Sequence, residues 1–472
     1  LETARSARVK YADARVVLQR TQHLEAKNGD LAEFEESESL GIGVRVLRGR
    51  GWGFAATNDL SREGIDRCVG QALALAKASA SVARRSVRLA EQEPSRARWQ
   101  TPVTEDPFTV PTSEKIDLLV RCSEALRIDP RITVARAEHL CAREEKVFAS
   151  TEGSEIEQTL TRVSFLMQAR ATEGGEMQQR TWPVGLEGLA AGRGYEAIRE
   201  LDPIAEAPCV AGEALELLSA PVCPPGRRDL IIGGDQLALQ IHESCGHPVE
   251  LDRALGHELN FAGYSFLTPD MRGSLRYGSP IVNLAADAVT PGSVATFGFD
   301  DEGVPAQTWD IVRDGVFVGY LDSRETAAAL GLPHSHGCMR ASGWNRVPIV
   351  RMVNVSLQPG DSSLDEIIAD TRDGVLMETN RSWSIDHLRL NFQFGTEIGW
   401  EVKDGRRGRM LRSCTYQGRT PEFWGSCDRI AGPDEWQMWG VLNCGKGQPG
   451  QVMTTGHGCA PARFRDVNIG VT

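Results

Sequence analysis

The stretch QIHESCGHPVELD, Gln240 to Asp252, sets a helical pattern into a half of the chain otherwise built from short strand-like runs. Leu237, Ala238 and Ile241 fall at helical spacing, and Asp235 is placed to cap the first turn. A glutamate directly follows the first of two histidines, as in zinc-hydrolase helices, but His242 and His247 are five residues apart where the common motif has four. On a straight helix, residues four apart lie about 40° from each other around the axis and residues five apart about 140°, so the two rings cannot reach one ion. Gly246 directly before His247 and Pro248 directly after it offer a remedy. Glycine lowers the cost of a distorted last turn, proline ends the helix, and a π-bulge or broken turn would absorb the extra residue. Taken alone, the pattern also fits one histidine packed in a core and the other exposed.

Beyond this helix, residues 275–472 are short strands punctuated by Gly, Asp and Pro, as in DDEGVPAQTWDIVRDGVFVGYL (Asp300 to Leu321), without strand-helix alternation. A mostly antiparallel, barrel-like domain is expected there. At the other end, residues 10–25 and 40–57 read as an antiparallel strand pair with turn chemistry at Gly49 to Gly51. A helix over Ser61 to Ala83 follows, with Ser61 as its cap and Glu63 in its first turn, and a second helix is expected over Ser113 to Leu126, also opened by a serine. Segments such as RITVARAEHL, KVFAST and RVSFLMQARAT predict a meander from Ile132 to about Thr181. The Pro/Ala/Glu-rich stretch Glu200 to Arg228 reads as a connection to the next domain. The expected fold class is α+β. An N-terminal sheet-and-helix domain (1–130) is followed by a central strand-rich segment and linker (131–225) and a barrel-like C-terminal domain carrying the metal helix (226–472).

A chain of 472 residues, 41% hydrophobic and 25% charged, has the balance of folded globular domains. The net charge of −12 and the lack of any Lys/Arg block exclude a nucleic-acid face and argue against a membrane surface. No run reaches the ~18 uncharged apolar residues of a membrane span. The opening LETARSARVKYADARV has no apolar core behind a basic end and does not read as a secretory signal, so the cytoplasm is the expected compartment. Eleven scattered cysteines, an odd number, suit a reduced compartment better than a disulfide framework.

Several segments resemble, in order, the TldD/PmbA family of metallopeptidases: the N-terminal YADARVVLQRTQHLEAKNGDLAEFEESESLGIGVRVLRGRGWGFAATNDLS, the helix quoted above, FDDEGVPAQTWDIVRDGVFVGYLDS, VPIVRMVNVSLQPGD, LNFQFGTEIGWEVKDGR and NCGKGQPGQVMTTGHGCAPARFRDVNIG. The resemblance spans nearly the whole chain. It implies that His242 and His247 are zinc ligands, that Glu243 is the catalytic carboxylate, and that Cys444, before Gly-Lys, is the third ligand, which is the metal-bearing TldD type. Cys245, inside the motif, reads as a packing residue. The resemblance also places HSHGCMR (His334 to Arg340) in a substrate-lining loop, making His334 and His336 candidate substrate contacts, although a loop that merely turns fits as well. Arg351 and Asn354 fall in a family-like segment near the site, where anchoring a strand is the alternative to touching substrate. His457 departs from the small apolar residues usual at its place; contact with substrate and simple exposure are its two readings.

The implied activity is zinc-dependent hydrolysis of unfolded peptides or small peptide-like amide intermediates. The implied assembly is a two-subunit chamber, a homodimer or a heterodimer with a PmbA/TldE-like subunit. Two other readings stand beside it. One is a non-catalytic, metal-stabilised partner or scaffold subunit; the other is a cysteine nucleophile at Cys245 or Cys459.

Overall fold

The computed structural model describes residues 1–470. Eight strands between Tyr11 and Ala191 share one sheet. Its main path runs Gly51–Thr57, Asp30–Arg48, Tyr11–Lys27, Ile132–Ser150, Glu155–Glu173 and Arg96–Gln100, with Glu176–Trp182 and Leu189–Ala191 also on Glu155–Glu173. Strands from both sides of residue 130 therefore lie side by side. Tyr11–Lys27 pairs antiparallel with Asp30–Arg48 and with Ile132–Ser150 along most of its length. The runs RITVARAEHL and KVFAST, expected as separate strands, are one continuous strand, Ile132–Ser150. Asp30 to Leu40 was not expected as strand because its acidic residues break apolar alternation. It pairs with Tyr11–Lys27 alone, and every side chain from Asp30 to Leu40 is exposed.

Helices cover the sheet. Arg62–Val82 is capped by Ser61, whose hydroxyl accepts from the Gly64 N–H at 3.1 Å, and it buries Cys68, Val69, Ala72 and Ala76. Thr112–Ala125 begins after Pro111 with no side-chain cap, so Ser113 does not have the opening role expected of it. Glu200 to Arg228, read as a linker, contains the helix Pro203–Ser219. Asp202 caps it by accepting from the Ala205 N–H, and Pro203 sits in the first turn, where no amide donor is missed. Composition suggested a loop; apolar spacing through Ala207, Val210, Ala211, Ala214 and Leu217 made a helix.

The C-terminal region holds two large sheets and a small two-stranded one, Met339–Arg340 with Ile349–Val350. Gly226–Ile232, Ala462–Ile469, Thr415–Arg419, Asn391–Lys403 and Asp373–Ile385 close into a ring, the last pairing back to the first. A six-stranded sheet contains, in order, Val316–Phe317, Thr308–Arg313, Leu284–Asp287, Asn354–Leu357, Gln451–Cys459 and Gln437–Lys446. Most pairings are antiparallel, as expected, with parallel exceptions such as Asp373–Ile385 on Gly226–Ile232.

The helix Gly234–Ile241 packs between the ring and the six-stranded sheet, and all eight of its residues are buried. Gln236 and Gln240 within it, and Ser244 just beyond it, bond the ring and its flanks. Gln236 donates to the Tyr416 hydroxyl at 2.9 Å, that hydroxyl donates to Gln240 at 3.1 Å, and the Trp424 indole donates to Ser244 at 3.0 Å. This helix points its C-terminal end at the candidate site.

Candidate metal centre

The chain continues from Ile241 into a single π-helical turn, His242–Gly246, followed by one 3₁₀ turn, His247–Val249. The His247 amide donates to the His242 carbonyl, a bond spanning five residues instead of four. That extra residue per turn brings the two imidazoles onto the same face, with ring centroids 4.8 Å apart. Asp235 does not cap the helix as expected; Gly233 occupies the cap and Asp235 is buried in the first turn. Gly246 keeps ordinary helical angles, φ −71° and ψ −59°. Its necessity is steric, since a Cβ there would stand 2.1 Å from the Met352 sulfur.

Cys444 arrives on the strand Gln437–Lys446, where the pairing with Gln451–Cys459 is interrupted between Val441 and Cys444. One ligand atom each from His242, His247 and Cys444 lies within 4.8 Å of the others, and Cys444 Sγ is 3.6 Å from His247 Nε2. Tetrahedral zinc with two imidazoles and a thiolate holds such atoms roughly 3.3–3.6 Å apart, so the set fits the ion with a small contraction. Arg351, fully buried, donates to the Cys444 carbonyl at 2.6 Å and the Gln451 carbonyl at 3.2 Å, clamping the hairpin that presents the thiol. Gly445 faces open space.

The outer hydrogen bonds fix which nitrogen of each ring is free. His457 Nδ1 lies 2.9 Å from the Val355 carbonyl, which can only accept, so Nδ1 carries the proton and Nε2 the lone pair. That lone pair lies 2.8 Å from His242 Nδ1, which must then be protonated, leaving His242 Nε2 unprotonated. By the same logic His247 Nδ1 donates to Glu250 at 2.9 Å and its Nε2 is free. Glu250 is in turn 3.5 Å from Lys446, which also meets Asp252 at 2.6 Å. Burial, first, holds both His242 and His247 well below the usual imidazole range, with His247 and then His457 acting on His242, and Arg389 on His247. Both rings are therefore neutral donors at neutral pH. Burial pushes the Cys444 thiol up to about 11, and a cation between these donors favours its thiolate.

Glu243 borders the same cavity, of about 380 Å³, as His242, His247 and Cys444. Burial raises its carboxyl, and Arg389, which donates to Oε2, opposes that shift. Arg389 has no sequence signature, sitting in a turn with φ +65° between two ring strands. Glu250 did have one: it follows His247 by three residues, a helical spacing.

The candidate substrate contacts lie elsewhere. His457 is fully buried behind His242, so neither contact with substrate nor exposure describes it. Arg351 is buried in the strand clamp described above, and Asn354 is buried against Asp287 and Ser293, both in the anchoring role. His334 is exposed on the surface and His336 bonds Asp322 at 2.5 Å and stacks on Trp309; neither borders the cavity. Cys245 packs in the hydrophobic core, Cys459 is fully buried, and burial pushes both thiols up, Cys245 to about 12. Neither suits a nucleophile.

Comparison with known proteins agrees with this geometry. Family models described as PmbA/TldA metallopeptidase domain 1, central domain and C-terminal domain match residues 12–76, 105–220 and 225–470. A metalloprotease of Methanothermobacter thermautotrophicus is 31% identical over 98% of this chain and 96% of its own length. A metalloprotease TldD homolog of Haemophilus influenzae is 23% identical over 98% of this chain and 93% of its own length. Among solved structures, a Thermotoga maritima protein described as a modulator of a DNA gyrase shares the fold with a TM-score of 0.76 at 18% identity, covering 99% of this chain and 97% of that one. With most of its length matched by the three domain models, the chain belongs to the PmbA/TldD family of metallopeptidases.

Proposed function

We propose that the protein is a zinc-dependent peptidase or amidase that hydrolyses unfolded peptides or small peptide-like amides, with His242, His247 and Cys444 as the metal ligands and Glu243 as general base. The observation that carries this reading is the convergence of two imidazole lone pairs and a thiol beside a carboxylate with no ligand role. A mixed nitrogen and sulfur set of three suits zinc and leaves its fourth position for water. When bound, the ion lowers the pKa of that water and polarises the scissile carbonyl. His457 and Glu250 hold the two rings by their Nδ1 protons, so that Nε2 of each is left free and would serve as the ligand atom. Glu243 would take a proton from the attacking water and deliver it to the leaving nitrogen, and Arg389 on Oε2, with Trp383 also bonding the carboxylate, fixes its orientation. Trp383 and Ile385 line the same cavity and offer apolar surface to a substrate side chain.

A two-subunit chamber in the cytoplasm, either a homodimer or a heterodimer with a PmbA/TldE-like subunit, is part of this reading. The exposed strand segment Asp30 to Leu40, paired on one side only and showing Leu31 and Phe34 to solvent, supports it as an edge open to another chain. A non-catalytic scaffold would have no use for Glu243 where it stands. The deciding experiment joins metal analysis of the purified protein to hydrolysis of an unstructured peptide with and without chelator. About one zinc per chain and chelator-sensitive cleavage are expected; a protein that neither carries nor binds zinc would overturn the reading.

A further inference from the structure

We propose that a second cavity, between the N-terminal sheet and the strand Gln451–Cys459, binds a small carboxylate with an apolar body, held by Arg162 and Arg340. The cavity measures about 300 Å³, at the small end of ligand pockets. Leu140, Leu160, Phe297, Phe299, Val452 and Met453 give it apolar walls.

The argument rests on two guanidiniums that no carboxylate contacts directly; Glu144 acts on Arg162, and Asp301 and Glu144 on Arg340, only from beyond ion-pair distance. Arg340 is 5% exposed and donates only to neutral oxygens: the Met352 carbonyl at 2.7 Å, the Thr454 carbonyl at 2.8 Å and the Thr454 hydroxyl at 3.4 Å. Arg162 donates from Nε to the Val294 carbonyl at 2.8 Å, and its two terminal nitrogens have no partner among the described residues. Neither guanidinium has a carboxylate within ion-pair distance among the described residues. The acidic groups on the cavity wall are already engaged. Asp301 is shared by Lys146 at 2.6 Å and Arg15 at 3.3 Å, and Glu144 pairs with Lys146 at 3.3 Å. Burial, then Glu302, pushes the Asp300 carboxyl up to about 8, and both of its oxygens are taken up by the backbone amides of Glu302, Val304 and Met339. Withdrawing a guanidinium from water without a contacting carboxylate is unfavourable, and an anion entering the cavity would meet two of them, Arg340 buried and Arg162 half-buried. Two guanidinium forks match the planar, two-oxygen geometry of a carboxylate, and the apolar walls match a body such as the side chain of a leucine or phenylalanine.

This site is separate from the metal centre. Leu442 borders it, whereas its neighbours Val441 and Asn443 border the metal cavity, so one strand divides the two. The chemistry could come from a free acylated amino acid or from the C-terminal residue of a peptide. Calorimetric titration of the full-length protein would use N-acetyl-leucine, a short peptide ending in leucine, that peptide's C-terminal amide, and inorganic phosphate. Each titration is run with and without chelator, which separates binding at His242, His247 and Cys444. Binding of either acid in both conditions, at least tenfold tighter than the amide and phosphate, and at least tenfold weaker in Arg162→Gln and Arg340→Gln, is the expected result; which acid binds identifies the source. If Arg340→Gln fails to fold by thermal unfolding, Arg162→Gln, whose side chain makes a single protein hydrogen bond, decides the matter. Absence of binding by both acids, amide or phosphate binding as tight as the acids, or unchanged affinity in Arg162→Gln would overturn the proposal.

Discussion

Two residues at the metal centre have separable duties, and substitution should separate them. Glu243 borders the cavity without joining the three-donor cluster, so Glu243→Ala should keep zinc and lower kcat by roughly 10²–10⁴-fold, the usual weight of general base catalysis. Zinc analysis and kcat on the same preparation check this; full activity would remove Glu243 from the mechanism. His457 is fully buried, does not border the cavity that holds Glu243, and meets His242 Nδ1 at 2.8 Å. Replacing it by Leu removes the acceptor that fixes the ring's tautomer, which costs about 10–100-fold in metal affinity for comparable outer partners. Competition with a chromogenic chelator should show the loss, and activity should recover when zinc is added in excess. Recovery distinguishes weakened metal binding from a broken catalytic step.

At the scale of the element, the π-helical turn is where sequence and structure agree most closely, and for a reason only half visible beforehand. The five-residue spacing of the histidines requires an irregular turn, and the His247 amide bonding the His242 carbonyl supplies it. Backbone freedom, the expected role of Gly246, is not used, because its angles are helical. What demands glycine is Met352, a contact roughly a hundred residues away in sequence, which no local pattern reveals. Gly246→Ala should therefore behave as an overpacked core, losing about 1–3 kcal/mol in denaturant unfolding and weakening zinc together with stability. If alanine were tolerated, Met352 would have to move freely, contrary to its complete burial. The same limit explains other misreadings. Arg389 reaches Glu243 and His457 reaches His242 only through tertiary packing, whereas Glu250 shares a turn with His247 and could be found by spacing. Alternation likewise fails for Asp30 to Leu40, since a segment exposed on both faces has no apolar side to display.

For the whole molecule, several buried or part-buried ion pairs join the N-terminal sheet to the C-terminal region, and one carboxylate among them meets two cations. Asp301, from the C-terminal region, lies 2.6 Å from Lys146 and 3.3 Å from Arg15, on adjacent strands of the N-terminal sheet, and accepts from the Ala341 amide at 2.7 Å. Burial alone would raise its carboxyl; Lys146 and then Arg15 more than reverse that and hold it below the usual carboxylate range. A carboxyl whose folded pKa is depressed contributes stability that is fully present above its unfolded pKa of about 3.9 and is lost as the pH falls through the folded value. The junction should thus hold at neutral pH and loosen in acid, below about pH 4. Asp301→Ala leaves Arg15 without its carboxylate and Lys146 with Glu144 alone and should cost roughly 3–5 kcal/mol at neutral pH, with a smaller acid dependence of stability than the parent because the titrating group is gone. Denaturant unfolding across a pH series measures both. Limited proteolysis adds the spatial readout, since a weakened junction should expose the segment around Pro221 to Arg228 between the two sheets before either sheet is cleaved. Equal stability of Asp301→Ala and the parent at neutral pH would show that this carboxylate adds nothing to the junction beyond its other bridges, such as Arg45–Glu302 and Arg324–Glu152, and its apolar contacts.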